Sequence, residues 1–202
     1  VEGPLTARRT QAERSEATRG ALMQAARGLF TTQGYAGTNR EEIAAAAGVT
    51  RGALYHHFGS KEALFRAVVE QLEEEMTMAI ATAAMRGADA AAELRLGCLA
   101  FLDACLDPAV QRIVLLEAPA VLGWEQWREI DERHGLALLT QGVAAVMDAG
   151  LVPPGPVEPL AHMLLGALNE AALLVATAKR PKQARAEVGR TVEQVLARLT
   201  GT

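Results

Sequence analysis

Apolar positions recur every three or four residues along nearly the whole chain, and glycines and prolines punctuate them. Over residues 12–33, Ala21, Leu22, Ala25, Leu29 and Phe30 share one side, while Arg14, Glu16, Arg19 and Gln24 lie elsewhere; this predicts an amphipathic helix. Gly34 ends it as a glycine just past a helix does. Thr38 with Glu41 three residues on predicts a capping box opening a second helix, with Ile43, Ala44 and Ala47 inward and Gly48 closing it. Thr50 caps a short third helix. A glycine-containing turn between two short helices is the helix-turn-helix layout. Ser60 caps a fourth, long helix whose stripe of Leu64, Phe65, Val68, Val69, Leu72, Met76 and Ile80 runs on towards Arg86-Gly87.

The remainder also reads as helix. One spans 88–106 and ends at Asp107-Pro108, and another spans 109–117, after which Pro119 and Gly123 break the tract. Residues 124–149 carry two further segments separated at Gly135, and Val152 to Pro156 form a stiff connector. The tract 157–178 is the most apolar, with small residues interleaved, and a helix apolar all round is buried within one subunit or between two. Lys179 to Lys182 reads as a loop. The last helix carries Val188, Val192, Val195 and Leu199 as a narrow coiled-coil-like seam. No sustained alternation of β-branched residues predicts a strand. The predicted fold is all-α: a three-helix head joined by a long helix to a larger helical domain. The divisions fall at 1–11 for a loose tail, 12–60 for the head and 61–202 for the body.

Composition sharpens this in two ways. Half of the 202 residues are hydrophobic and only 4% aromatic, which favours helix and argues against disorder. The net charge of −4 disfavours nucleic acid on its face, but residues 1–66 hold nine basic against six acidic side chains and the rest eleven against eighteen. A mildly basic head on an acidic body suits a protein with one DNA-facing end, although ordinary scatter gives the same figures. Cys98 and Cys105 sit roughly 10 Å apart along one helix, too far for a mutual disulfide, and read as reduced, buried thiols. No signal-peptide pattern and no uncharged run of about 20 apolar residues is present. The expectation is a soluble, cytoplasmic protein with no membrane partner.

The candidate chemistry lies between Gly48 and Phe65. Thr50, Arg51, Tyr55, His56 and Lys61 fall on the outward side, and hydroxyls, a guanidinium, an imidazole and an ammonium suit phosphates and base edges. Arg51 is placed either to hold guanine through O6 and N7 or to hold a phosphate. Gly52 leaves room for close backbone approach. The bland alternative has Tyr55 and His57 packing the head and Lys61 solvated.

From Arg14 to Phe65 the chain resembles the TetR family of bacterial transcriptional repressors. The resemblance rests on Leu29-Phe30, Gly34-Tyr35, Thr38, Ile43-Ala44, Ala47-Gly48-Val49, Gly52, Leu54-Tyr55, His57-Phe58, Ser60-Lys61-Glu62 and Leu64. It implies that Thr38, Tyr55, His57 and Lys61 contact phosphates, and that Thr50, Arg51, Gly52 and His56 touch bases or adjacent phosphates. Arg40 departs from the family's apolar residue and adds a further phosphate contact. The implied partners are a double-stranded DNA operator, a second copy of the chain, and a small-molecule effector; no cofactor is implied.

The resemblance further implies an effector pocket within 88–178, for which Phe101, Cys105, Glu117, Trp124, Trp127, Met147, His162, Met163 and Asn169 are candidates. Trp124 and Trp127 equally well cover the core, His162 suits a capping or solvated position, and Asn169 also fits a dimer interface. The body is thus expected to bind ligand and to dimerise. Leu164, Leu168, Ala172, Val188, Val192, Val195 and Leu199 on the last two helices are the candidate contacts between copies. Two readings compete. One is a helical ligand-binding or interaction protein without DNA binding. The other is an all-helical enzyme built on Glu117, Glu125, Glu129, Asp131, Glu132 and His134. The latter group lacks any HExxH or paired ExxH spacing, so no catalytic or metal-binding residue is assigned.

Overall fold

The computed structural model describes residues 10–201; the first nine residues of the expected tail, and Thr202, lie outside the described residues. Among the described residues are ten α-helices and two stretches of wider π-helical turn, with no strand. They divide into two compact units, with the boundary between Val68 and Val69.

The first unit holds α1 (Gln11–Gly37), α2 (Arg40–Ala46), α3 (Arg51–Phe58) and the start of α4 (Lys61–Ala84). α1 begins at Gln11 because Thr10 caps it. The Glu13 N–H donates to Thr10 Oγ1 at 3.2 Å, and the Thr10 N–H donates to Glu13 Oε2 at 2.7 Å. The regular helix breaks at Gly34, whose φ of 78° lies in the left-handed region that a side chain disfavours.

The cap of α2 corrects the sequence expectation by one residue. Asn39, not Thr38, forms the box: the Glu42 N–H donates to Asn39 Oδ1 at 2.8 Å, and the Asn39 N–H donates to Glu42 Oε2 at 3.3 Å. Both registers satisfy the same spacing rule, and burial decides between them. Thr38 is 2% exposed, and its hydroxyl donates backwards to the Gly34 carbonyl at 2.7 Å. The released Glu41 points outward.

Seven and eight residues are too few for α2 and α3 to be stable alone. They are held by a core of Leu22, Phe30, Ile43, Leu54, Leu64 and Phe65, all fully enclosed. The rings of Phe30 and Tyr35 both meet Phe65 edge-on at 5.1 Å. Lys61 closes the cluster from α4. Its Nζ donates to the Tyr35 and Thr38 carbonyls at 2.8 and 2.9 Å and lies 4.0 Å from the centre of the Tyr35 ring.

The second unit contains the rest of α4 with α5 (Ala90–Ala104), α6 (Ala118–Leu122), α7 (Trp124–Asp131), α8 (Ala137–Asp148), α9 (Val157–Ala176) and α10 (Pro181–Thr200). The π-helical turns are Val110–Glu117, whose end is marked by the Ala118 N–H bonding the Ile113 carbonyl, and Glu132–Leu136. Pro119 does not break the tract but sits in the first turn of α6, where its missing N–H costs nothing. Gly135 likewise lies inside the second π-turn, so α7 runs into α8 without a gap. Pro181 and Lys182, read as loop, open α10.

α5 packs against α8, α9 and α10 around Leu94, Cys98, Leu139, Val146, Leu165 and Leu196. Both cysteines are free and buried, and burial pushes their thiols up to about 12. α9 is long and apolar enough to cross a bilayer by length and composition. It nevertheless buries Ala161, Leu165, Leu168, Ala172 and Val175 inside this unit and exposes His162 and Glu170.

Asn39→Ala is expected to destabilise the head by about 1 kcal/mol in urea denaturation. Loss of stability with Glu41→Ala, and none with Asn39→Ala, would return the cap to Thr38.

Candidate functional site

The turn from α2 to α3 is closed by a backbone bond. The Val49 N–H reaches back to the Ala44 carbonyl at 3.0 Å, and Gly48 takes the left-handed conformation (φ 67°) that this closure requires. Thr50 then caps α3, accepting from the Ala53 N–H at 3.3 Å. Ser60 does the same for α4, accepting from the Ala63 N–H at 3.0 Å. With Leu54 buried and both ends pinned, the opposite side of α3 is forced into solvent.

That outward side carries Arg51, Gly52, Tyr55 and His56, all exposed, with Thr50 before it and His57 half-buried beside it. Tyr55 lies between two guanidiniums: Arg40 is 5.2 Å and Arg51 5.7 Å from its ring centre. Arg51 also donates to the Tyr55 hydroxyl at 3.4 Å and pairs with Glu41 at 3.0 Å. A Cβ on Gly52 would meet only Thr50 Oγ1 at 3.8 Å, so nothing in the head demands a glycine there.

Two members of the expected contact set have internal work instead. Thr38 is enclosed, and its hydroxyl is committed to Gly34, which removes it from the outer surface. Lys61 spends two of its three donors on carbonyls, and burial, followed by the charge of Arg40, holds its pKa below the ordinary value. The Glu41–Arg51 pair was not foreseen, because it joins residues across the turn with no spacing rule to announce it.

The second unit contains a cavity of about 390 Å³. Among the expected pocket residues, Phe101, Trp127 and Asn169 line it. The others lie elsewhere. Cys105 is fully enclosed in the core and Met147 packs on the apolar cluster. Met163 is 73% exposed, on the other side of α9. Trp124 is exposed and stacks on Trp127 at 5.0 Å; His162 is exposed beside Arg128 at 2.9 Å; Glu117 pairs with Arg112 at 3.2 Å.

The cavity's floor holds two acids. Glu73 and Asp131 are each only 7% exposed. Burial, and then the neighbouring Asp131 charge, raise Glu73 from the ordinary 4.5 to about 7. Burial pushes the Asp131 carboxyl up as well, while Arg128 and a hydrogen bond from Asn169 pull it back. Of the acids weighed for the competing enzyme reading, Asp131 lines the cavity. Its place one helical turn beyond Trp127, like that of Glu73 on the stripe Val69, Leu72, Met76, is the signal that sets it inside. Both π-turns border the same space, the first through Val114 and Leu115, the second through Gly135. No group of three or more potential metal ligands occurs among the described residues.

The candidate contacts between copies differ in how far their own unit covers them. Leu168 and Ala172 are buried in their own unit, and Leu164, Val192 and Leu199 pack on its apolar cluster. Val188 is half-buried, and Val195 alone of the set is mostly exposed.

A pinned short helix with a polar outer side, following a glycine-closed turn, together with an all-helical body around a cavity, defines a DNA-binding transcriptional regulator of the helix-turn-helix class. The comparisons place it more narrowly. Residues 22–68 match the family model described as bacterial regulatory proteins, tetR family, and residues 91–199 match that described as Tetracyclin repressor-like, C-terminal domain. The chain belongs to the TetR family.

It is 49% identical over 70 residues to the HTH-type transcriptional regulator CymR of Pseudomonas putida, covering 35% of this chain and 34% of that one. It is 46% identical over 70 residues to the HTH-type transcriptional regulator AcrR of Shigella flexneri, covering 35% and 32%. The match thus spans about a third of each of these curated relatives. The solved structure of a TetR-family transcriptional regulator from Pectobacterium atrosepticum is similar throughout, with 34% identity, a TM-score of 0.81, and coverage of 96% of this chain and 99% of that one.

Glu73 ties stability to pH. Between about 4.5 and 7 the folded chain keeps a proton that the unfolded chain has lost, so stability falls as pH rises through that window and levels off above it. Glu73→Gln is expected to flatten this dependence and to raise the melting temperature at pH 8, as read by calorimetry across pH 5–8.

Proposed function

We propose that the chain is a ligand-responsive repressor. Two copies related by a two-fold axis place one head on each half-site of a pseudo-palindromic operator, and a small molecule in the body releases them. Residues 12–60 read the DNA, and residues 61–202 bind the effector and the second copy. The protein works by binding alone, in the bacterial cytoplasm where its operator lies, with no cofactor, catalytic step or membrane.

The observation that carries this reading is Gly52. The fold leaves open space over it, so its missing side chain serves whatever approaches the outer side of α3. Arg51, Tyr55 and His56 surround it with donors for phosphate and base edges. Arg40, half-buried over Tyr55, extends the same surface. The contact between copies is assigned to the exposed side of α9, where Met163 and Leu174 flank Gly166 and Ala167, joined by Val195 of α10. Small residues between large apolar ones permit close approach of a second helix.

A gel-shift series against the chain's own upstream DNA tests the head. Binding is expected to be specific and to weaken steeply with salt. A ligand-binding protein that does not touch DNA gives no specific shift. Gly52→Ala is expected to stabilise the head by about 0.5–1 kcal/mol while weakening operator binding about tenfold. Arg51→Ala is expected to cost roughly ten- to a hundredfold and to relax preference at one base position; uniform weakening over all sequences would make Arg51 a phosphate holder.

For the dimer, Ala167→Glu is expected to give a monomer by light scattering at micromolar concentration. A dimer that survives this change sets the interface elsewhere.

A further inference from the structure

We propose that the cavity of the second unit takes a cationic ligand: an apolar, partly aromatic body bearing one ammonium group that seats between Glu73 and Asp131. The proposal rests on reading this cavity as the effector site and names the chemistry that the site selects.

The cavity wall is acidic: Glu73, Glu93 and Asp131 line it, and no lysine, arginine or histidine joins them. It also holds an unused acceptor. Asp131 Oδ2 is buried and accepts no hydrogen bond. Its nearest cation, Arg128 Nη1, stands off at 3.8 Å, and the Nε of the same guanidinium pairs with Glu132 at 3.0 Å on the exposed side. A buried polar atom left without a partner is costly, and a buried carboxylate more so. The two buried acids thus have one guanidinium near them, on Asp131 alone, and it is shared with Glu132.

The rest of the wall fits the remainder of such a ligand. Met76, Ile80, Leu138 and Leu168 are apolar, and Phe101 and Trp127 add aromatic rings, which attract cations as well as hydrophobic groups. Asn169, already bonded to Asp131, holds that carboxylate in position. A volume of about 390 Å³ accommodates a small drug-sized molecule. An anionic ligand would meet three acids and no base.

Three probes with one tail and different heads separate the possibilities: 4-phenylbutylamine, 4-phenylbutanol and 4-phenylbutyrate. Each is titrated into the full-length protein at pH 7.5, with binding followed by calorimetry and by the fluorescence of Trp127 and its neighbour Trp124. The ammonium probe is expected to bind at least about tenfold tighter than the alcohol, and the carboxylate weakest. Glu73→Gln and Asp131→Asn should each erase most of the ammonium's advantage while leaving the alcohol's affinity in place. Equal binding of all three, preference for the carboxylate, an ammonium preference that survives both substitutions, or no binding of the ammonium would overturn the proposal. Operator gel shifts on the same samples keep the two readings apart. Ammonium-selective binding without operator binding sustains the cavity inference and sinks the repressor. Operator binding without ammonium preference does the reverse.

Discussion

One ammonium group holds the head in shape. Lys61 Nζ bridges the last turn after α1 and the start of α2 through two carbonyls, and it rests on the ring of Tyr35. Those carbonyls belong to the last turn of α1 and to the residue that follows it, where helical partners run out; the Tyr35 carbonyl accepts from the Thr38 N–H at 3.3 Å as well as from the lysine. Around this link Phe30 and Tyr35 each meet Phe65 edge to face and lie tilted against one another. Helices as short as α2 and α3 depend on that framework, and the direction in which α3 points its polar side depends on it in turn. The lysine thus contributes to the surface by positioning it.

The second unit shows the opposite economy. There two acids are buried with little to match them. The Asp131 charge adds to the cost of charging Glu73, and Arg128 is shared between Asp131 and Glu132 while it also meets His162. A structure that needed only stability would have apolar side chains at these positions. The two π-turns point the same way. Each leaves the tighter α-helical geometry beside the cavity, and such departures are frequent at functional sites.

Much of this was legible in the sequence. The helical period, the glycine stops, the caps at Thr50 and Ser60, and the helix-turn-helix register all follow from local rules, and the fold obeys them. What escaped was decided by tertiary context. Thr38 and Asn39 both satisfy a capping box, and only burial of the threonine chooses between them. Pro119 and Gly135 read as breaks, yet a first-turn position and a widened turn absorb them. The valine and leucine seam of α10 divides its contacts: Val192 and Leu199 pack partly on the protein's own core, while Val195 stays mostly exposed. Asp131 shows the limit most plainly. Its neighbours in sequence are charged and look solvated, while its neighbours in space are Trp127 and an apolar hollow.

The Glu41–Arg51 contact bears on how the head discriminates among sequences. Arg51 does not wait as a bare charge. On the reading proposed above, Arg51 would have to leave that carboxylate to reach a base, and the carboxylate would then stand close to a polyanion. Any duplex offers phosphates, but only guanine in the right place returns two directed hydrogen bonds in exchange. The pair would then set a threshold, lowering affinity for all DNA alike and leaving a net gain only where the match is correct.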